Sequence, residues 1–144
     1  MKRIYLDTNV LISFLRSEIG KGFRLLHQEA EDFFKCAPTK CILVLSDFLF
    51  KEVKEKIPVA PEDIVNTLLE LGLKIDVLES VEDDLRFAAS LAVPPLHIED
   101  AFHVAIAIRA GCDAIVTFNK KDFLPVGKRL AVFEPSEAVQ ILSP

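Results

Sequence analysis

Two short runs, Cys41-Ile42-Leu43-Val44-Leu45 and Ala114-Ile115-Val116-Thr117, are rich in apolar residues and show no in–out alternation. A strand with one wet face alternates, whereas an unbroken apolar run needs cover on both faces, the condition of a central strand in a parallel sheet. Three more runs of strand length lie at Arg3 to Leu6, Lys74 to Leu78 and Leu130 to Phe133, and segments of helical length separate them. Such alternation predicts βαβ units and an α/β fold with helices on both faces of the sheet. The runs at 41–45 and 114–117 are expected at its centre, with Ile4 to Leu6 between or beside them. Ser46 can cap a helix over Asp47 to Lys56, Pro61 can open one running to Leu71, Gly111 can end one from Ile98 to Ala110, and Glu134 to Ile141 reads as a short terminal helix.

With 144 residues, half of them apolar, and no repeat or linker, the chain is expected to form one domain over residues 1–144 with a well-filled core. No apolar stretch approaches the ~18 residues of a membrane span, and the first residues lack the layout of a signal peptide. Three cysteines without a Cys-x-x-Cys pair suit a reducing compartment, so a cytoplasmic location is expected and structural zinc is not. The formal charge of −5 gives no help to phosphate binding. A divalent cation held by several carboxylates would invert the local field, so the net charge does not exclude a nucleic-acid substrate.

The placement of the carboxylates is more informative. Ile4-Tyr5-Leu6 ends on Asp7-Thr8-Asn9, and residues just past the carboxyl ends of parallel strands face the site crevice. Asp7 also suits capping of the following helix. Glu52 shares a helix face with Phe48, Leu49, Val53 and Lys56, interrupting a buried stripe, which is costly unless it is paired or binds a metal. A tie to Lys56 is the alternative. Asp100 opens a helix that is apolar nearly all round from Ala101 onward, where the helix dipole alone favours an acid. A buried strand then runs into Thr117-Phe118-Asn119-Lys120-Lys121-Asp122-Phe123, delivering two more oxygen-bearing side chains, although such loops are commonly plain turns. An all-oxygen set selects Mg²⁺ or Mn²⁺ over zinc. His103 reads as a satisfied core residue, His97 as part of the Pro94-Pro95 loop, and no serine or cysteine nucleophile motif accompanies the histidines.

Taken together, Asp7-Thr8-Asn9-Val10-Leu11-Ile12, then Glu52, then Asp100-Ala101-Phe102-His103-Val104-Ala105, then the cluster from Thr117 to Phe123 resemble the PIN domain, from residue 4 to about 133. The resemblance implies a three-layer α/β/α sandwich around a mostly parallel sheet of four to five strands. It implies a metal-dependent endoribonuclease, similar to the VapC-like toxins of toxin–antitoxin pairs, with Mg²⁺ or Mn²⁺ as cofactor. RNA would be the substrate, an antitoxin the partner and a homodimer the assembly. Asp7, Glu52 and Asp100 would form the acidic core, with Asp7 and Asp100 as the direct metal ligands, and either Asn119 or Asp122 would fill the last acidic position. Asn119 departs from the aspartate of many relatives. Thr8, Asn9 and Thr117 would orient the carboxylates, and Lys120, Lys121, Lys128 and Arg129 are candidates to hold the RNA backbone.

Other readings compete. A phosphoaspartate enzyme of the haloacid dehalogenase type needs an Asp where this chain has Asn9, and a receiver domain needs an acceptor Asp after its third strand, where Leu78-Glu79-Ser80 stands. An RNA-processing nuclease without an antitoxin fits the same residues, whereas Asp7, Glu52 and Asp100 argue against the remaining rival, a PIN-like binding module without catalysis. The face of Phe23, Leu26, Phe33 and Phe34 on the segment 21–36 suits the core, with self-association or an antitoxin helix as the alternative.

Overall fold

Five strands pair side by side, all in parallel, in the order β3-β2-β1-β4-β5: β1 (Lys2–Leu6), β2 (Cys41–Ser46), β3 (Lys74–Leu78), β4 (Ala114–Val116) and β5 (Ala131–Phe133). The computed structural model describes residues 1–18 and 24–143, without the side chains of residues 17, 18, 24, 25 and 27. The five expected strands are all present, and the first occupies the centre, flanked by the two non-alternating runs.

Helices cover both faces. On one face α1 (Thr8–Glu18), α2 (Arg24–Cys36), α3 (Asp47–Lys56), α4 (Pro61–Glu70) and α7 (Pro135–Leu142) bury Ile4, Leu6, Leu43, Leu45 and Val116. On the other, α5 (Glu82–Leu91), α6 (Ile98–Arg109) and the 3-10 segment Lys120–Val126 bury Tyr5, Val44 and Ile115. Successive strand residues point to opposite faces. The polar residues that follow, Asp7, Ser46 and Thr117, therefore fall on the side of Tyr5, Val44 and Ile115, the side of α6. Phe33 and Phe34 of α2 are core, while Leu26 is 43% exposed; Phe23 lies outside the described residues.

Local signals set the helix ends. Ser46 takes an extended conformation and accepts the Leu49 N–H at 3.1 Å, capping α3. Pro61 starts α4, and Gly111 follows α6 at φ +70°, a conformation that favours glycine. The described residues include no helix long and apolar enough to cross a membrane.

Asp84 ties α5 to α6. Its buried carboxylate accepts the Val81 N–H at 2.9 Å, capping α5, and the Arg109 Nε at 2.8 Å. Arg109 also reaches the Glu79 carbonyl at 2.8 Å, and its side chain is partly open to water, which screens the pair. Asp84→Ala is expected to cost about 2 kcal/mol, one part from the lost cap and one from the lost charge-assisted bond, as read in a urea titration.

Candidate active site

The strand order turns at β1: β2 and β3 extend from it in one direction, β4 and β5 in the other. In open parallel sheets the crevice at such a reversal, outside the carboxyl ends of the strands, is where ligands bind. Here the crevice is an open hollow of about 240 Å³ whose lining includes Asp7, Glu52, Asp100 and Asn119. Four side chains from four separate stretches of sequence thus reach one place.

Asp7 stands at the exit of β1, 4% exposed. Its backbone N–H continues the ladder to the Val116 carbonyl at 3.0 Å. Its carboxylate is fixed from two sides, accepting the Thr8 N–H at 2.9 Å and the Thr117 hydroxyl at 2.6 Å. Asn9 closes the same joint, donating to the Thr117 hydroxyl oxygen at 3.4 Å and accepting the Phe118 N–H at 3.3 Å. Thr117 accepts the Asn119 N–H at 3.0 Å as well, so Thr8, Asn9 and Thr117 together lock the exits of β1 and β4.

Glu52 projects from α3 toward β1 rather than along its helix to Lys56. Its Oε1 accepts the Thr8 hydroxyl at 2.5 Å and lies 2.5 Å from His103 Nε2. His103 is 1% exposed, and its Nδ1 lies 2.6 Å from the Tyr5 hydroxyl. The expectation of a buried, satisfied histidine agrees with this burial, but the reading from sequence did not connect His103 to Glu52. The available signal was the facing of the elements: His103 follows Asp100 by three residues on α6, and Tyr5 precedes Asp7 by two on β1.

Electrostatics separate the three acids. Burial pushes the Asp7 carboxyl above its ordinary value, against the hydrogen bonds from Thr117 and Thr8 and the attraction of His103. Burial, then the negative charge of Asp7 and more weakly that of Asp122, pushes Asp100 up to about 6, with His103 and His97 opposing. Burial would raise Glu52 too, yet its bonds to His103 and Thr8 hold it below the usual range. The charge of Asp7 therefore burdens Asp100 and that of Glu52 burdens Asp7, while Glu52 itself is relieved by His103 and Thr8.

Asn119 borders both the crevice and a neighbouring open cleft of about 560 Å³, lined by Phe118, Lys120, Lys121, Asp122, Leu124 and Glu134. Asp122 belongs to the cleft but is close enough for its charge to act on Asp100. Lys120 is committed to Glu137, with Nζ 2.9 and 3.0 Å from the two carboxylate oxygens. Lys121 is exposed on the cleft, and the Arg129 guanidinium lies over the Phe87 ring. Among the described residues, no three His, Cys, Asp or Glu side chains stand as a ready ligand cluster for a metal ion. Glu52 is turned into Thr8 and His103, and Asp7 is held by Thr8 and Thr117. The donor chemistry nevertheless suits a hard cation: the lining groups are oxygen donors, and two of the carboxylates repel each other.

The fold is thus a parallel α/β sandwich with acids gathered at its strand-order reversal. The family model of the PIN domain matches residues 4–128, and the chain belongs to the PIN domain family. Among solved structures, it is similar to a toxin–antitoxin complex from Klebsiella pneumoniae, with 20% identity and TM-score 0.58, covering 92% of this chain and 97% of that one. It is also similar to VapC20 of Mycobacterium tuberculosis, a sarcin–ricin loop cleaving toxin, with 16% identity and TM-score 0.58, covering 83% of this chain and 92% of the other. No curated protein sequence matches it significantly.

Proposed function

We propose that the protein is a divalent-metal-dependent endoribonuclease acting as the toxin of a toxin–antitoxin pair. The observation that carries this reading is the lining of one crevice by Asp7, Glu52, Asp100 and Asn119, in a chain of the PIN domain family. A toxin–antitoxin complex and an RNA-cleaving toxin among the structural neighbours support the biological role.

Asp7 and Asp100 are the direct ligands of Mg²⁺ or Mn²⁺ in this proposal, and Glu52 completes the acidic set, with Asn119 and Asp122 at its open side. A cation held there would supply charge to offset that on the phosphoryl oxygens and would make a bound water more acidic. Thr8 and Thr117 hold Asp7 in a fixed orientation, which spares the site from ordering that carboxylate during the reaction. Lys121, with Lys128 and Arg129 further along, steadies the RNA backbone. The water oxygen bonds to phosphorus, the P–O3′ bond breaks, and a proton goes to the leaving O3′, giving 5′-phosphate and 3′-hydroxyl ends. Incubation of the purified protein with structured RNA, with Mg²⁺, Mn²⁺ or EDTA, followed by mapping of the ends, tests the reaction. Cleavage that persists in EDTA contradicts it. Co-expression with the adjacent reading frame tests the toxin role, through relief of growth arrest.

The raised acids add a prediction that needs no substrate. A carboxyl whose folded value lies above its unfolded one supports the fold below the unfolded value and loses that support as pH rises through the folded one. Asp100, at about 6, is such a group, so the metal-free fold gives up this contribution between about pH 4 and 6. A cation then competes with protons, and it gains as pH rises. At a concentration about 100-fold above its Kd, Mn²⁺ should raise the melting temperature by about 5–10 °C near pH 7.5, and by clearly less near pH 5. Thermal melts with Mn²⁺ and with EDTA provide the check.

A further inference from the structure

Beneath the acids lies a chain of buried polar groups that the proposed reaction does not use. Ser46 Oγ accepts the Leu49 N–H at 3.1 Å and lies 2.7 Å from the Tyr5 hydroxyl. The Tyr5 hydroxyl in turn lies 2.6 Å from His103 Nδ1, and His103 Nε2 lies 2.5 Å from Glu52 Oε1. Tyr5, Ser46 and His103 are buried, and no buried side-chain nitrogen or oxygen among the described residues lacks a partner. The hydrogens in such a chain can be counted.

Two directions are open to the proton chain. If His103 Nδ1 donates to Tyr5, the Tyr5 O–H must turn to Ser46, whose oxygen already accepts from Leu49; the Ser46 hydrogen then finds no acceptor among these contacts. That direction also requires an imidazolium, because a neutral ring protonated at Nδ1 would set its Nε2 lone pair against the Glu52 carboxylate; the Thr8 hydroxyl, 3.2 Å from Nε2, gives its one hydrogen to Glu52 at 2.5 Å. In the other direction Ser46 donates to Tyr5, Tyr5 to Nδ1, and Nε2–H to Glu52, and every hydrogen is used. Burial pushes the Tyr5 hydroxyl well above its ordinary value, which keeps its proton in place.

We propose that Ser46 and Tyr5 form a one-way donor chain that fixes His103 as the Nε2–H tautomer and thereby sets the position of Glu52 in the crevice. Tyr5 and Ser46 are positioning residues: they touch no reacting atom and act through the imidazole. The reason for a buried tyrosine at the centre of the sheet is then chemical as well as steric, since phenylalanine would fill nearly the same volume without orienting the ring. The tautomer follows from the hydrogen count alone, whereas its value for cation binding rests on the nuclease reading above.

Imidazole ¹⁵N and carboxylate ¹³C spectra of the metal-free protein separate these layers, alongside calorimetric titration with Mn²⁺. In the unsubstituted protein His103 should show an acceptor-type Nδ1 and a protonated Nε2. Tyr5→Phe should shift both nitrogens toward averaged tautomer values, move the Glu52 carboxylate signal and weaken Mn²⁺ binding about 10-fold or more, the usual scale for groups that orient a ligand. Ser46→Ala should move the same nitrogen signals less, since it removes the donor to Tyr5 but leaves the Tyr5 proton on Nδ1. His103→Gln, which returns an amide N–H to the side chain, should restore part of the Mn²⁺ affinity lost in His103→Ala. A protonated Nδ1 in the unsubstituted protein, or nitrogen signals unmoved by Tyr5→Phe, overturns the proposal, as does full Mn²⁺ affinity in a Tyr5→Phe protein whose signals have shifted. If the spectra behave as stated but the unsubstituted protein binds no Mn²⁺, the donor chain stands and the nuclease reading fails.

Discussion

Asp100→Asn should lower RNA cleavage by about a hundredfold to a thousandfold, equivalent to about 3–4 kcal/mol of lost transition-state stabilisation, and yet leave the metal-free protein at least as stable as before. The first effect follows from removing one of the two carboxylates assigned to the cation. The second follows from the sign of the shift. Burial and the charge of Asp7 hold the Asp100 carboxyl at about 6, so near pH 7.5 the folded protein carries a charge that its surroundings disfavour. Asparagine keeps the shape and removes the charge. A melt in EDTA should therefore show no loss of stability, while the Mn²⁺-induced rise in melting temperature shrinks. Single-turnover cleavage and paired melts measure both halves, and undiminished cleavage by Asp100→Asn would end the assignment.

Phe123→Ala should be the most destabilising of the changes discussed, at about 3–5 kcal/mol, or about 10 °C in melting temperature. Phe123 is fully buried in the core on the α6 side, packed with residues that include Val126 and Leu130. It is the anchor of the 3-10 segment Lys120–Val126, which begins directly after Asn119 and carries Asp122. Truncation leaves a cavity that the short segment cannot close, so the crevice side formed by Asn119 should loosen as the fold weakens. Urea unfolding followed by cleavage assays below the transition would show both losses. A cleavage rate equal to the unsubstituted protein's under conditions where the variant stays folded would mean that this segment does not hold the site.

The architecture was legible because β2 and β4 are covered on both faces and so lack alternation, and because Ser46, Pro61 and Gly111 carry end signals that depend on local backbone chemistry alone. The acids were legible for a related reason: Asp7 ends a strand, Glu52 interrupts a buried stripe, and Asp100 opens a buried helix. What stayed hidden is contact between residues distant in the chain. Nothing local to Glu52 indicates that it leaves Lys56 for His103, 51 residues away. Lys120 and Glu137 likewise meet only because the 3-10 segment and α7 fold back beside each other. Sequence periodicity reports which face a side chain takes, and the partner on that face is settled by tertiary packing.

The bond from Thr117 to Asp7 spans 110 residues, and it joins the two central strands on which the crevice rests. A ribosome making this chain must deliver β4 through its exit tunnel before Asp7 acquires that neighbour. Any site that depends on this bond is thus assembled only after β4 has been made, so a polypeptide halted anywhere between Asp7 and Ala114 carries the first acid without its partner hydroxyl.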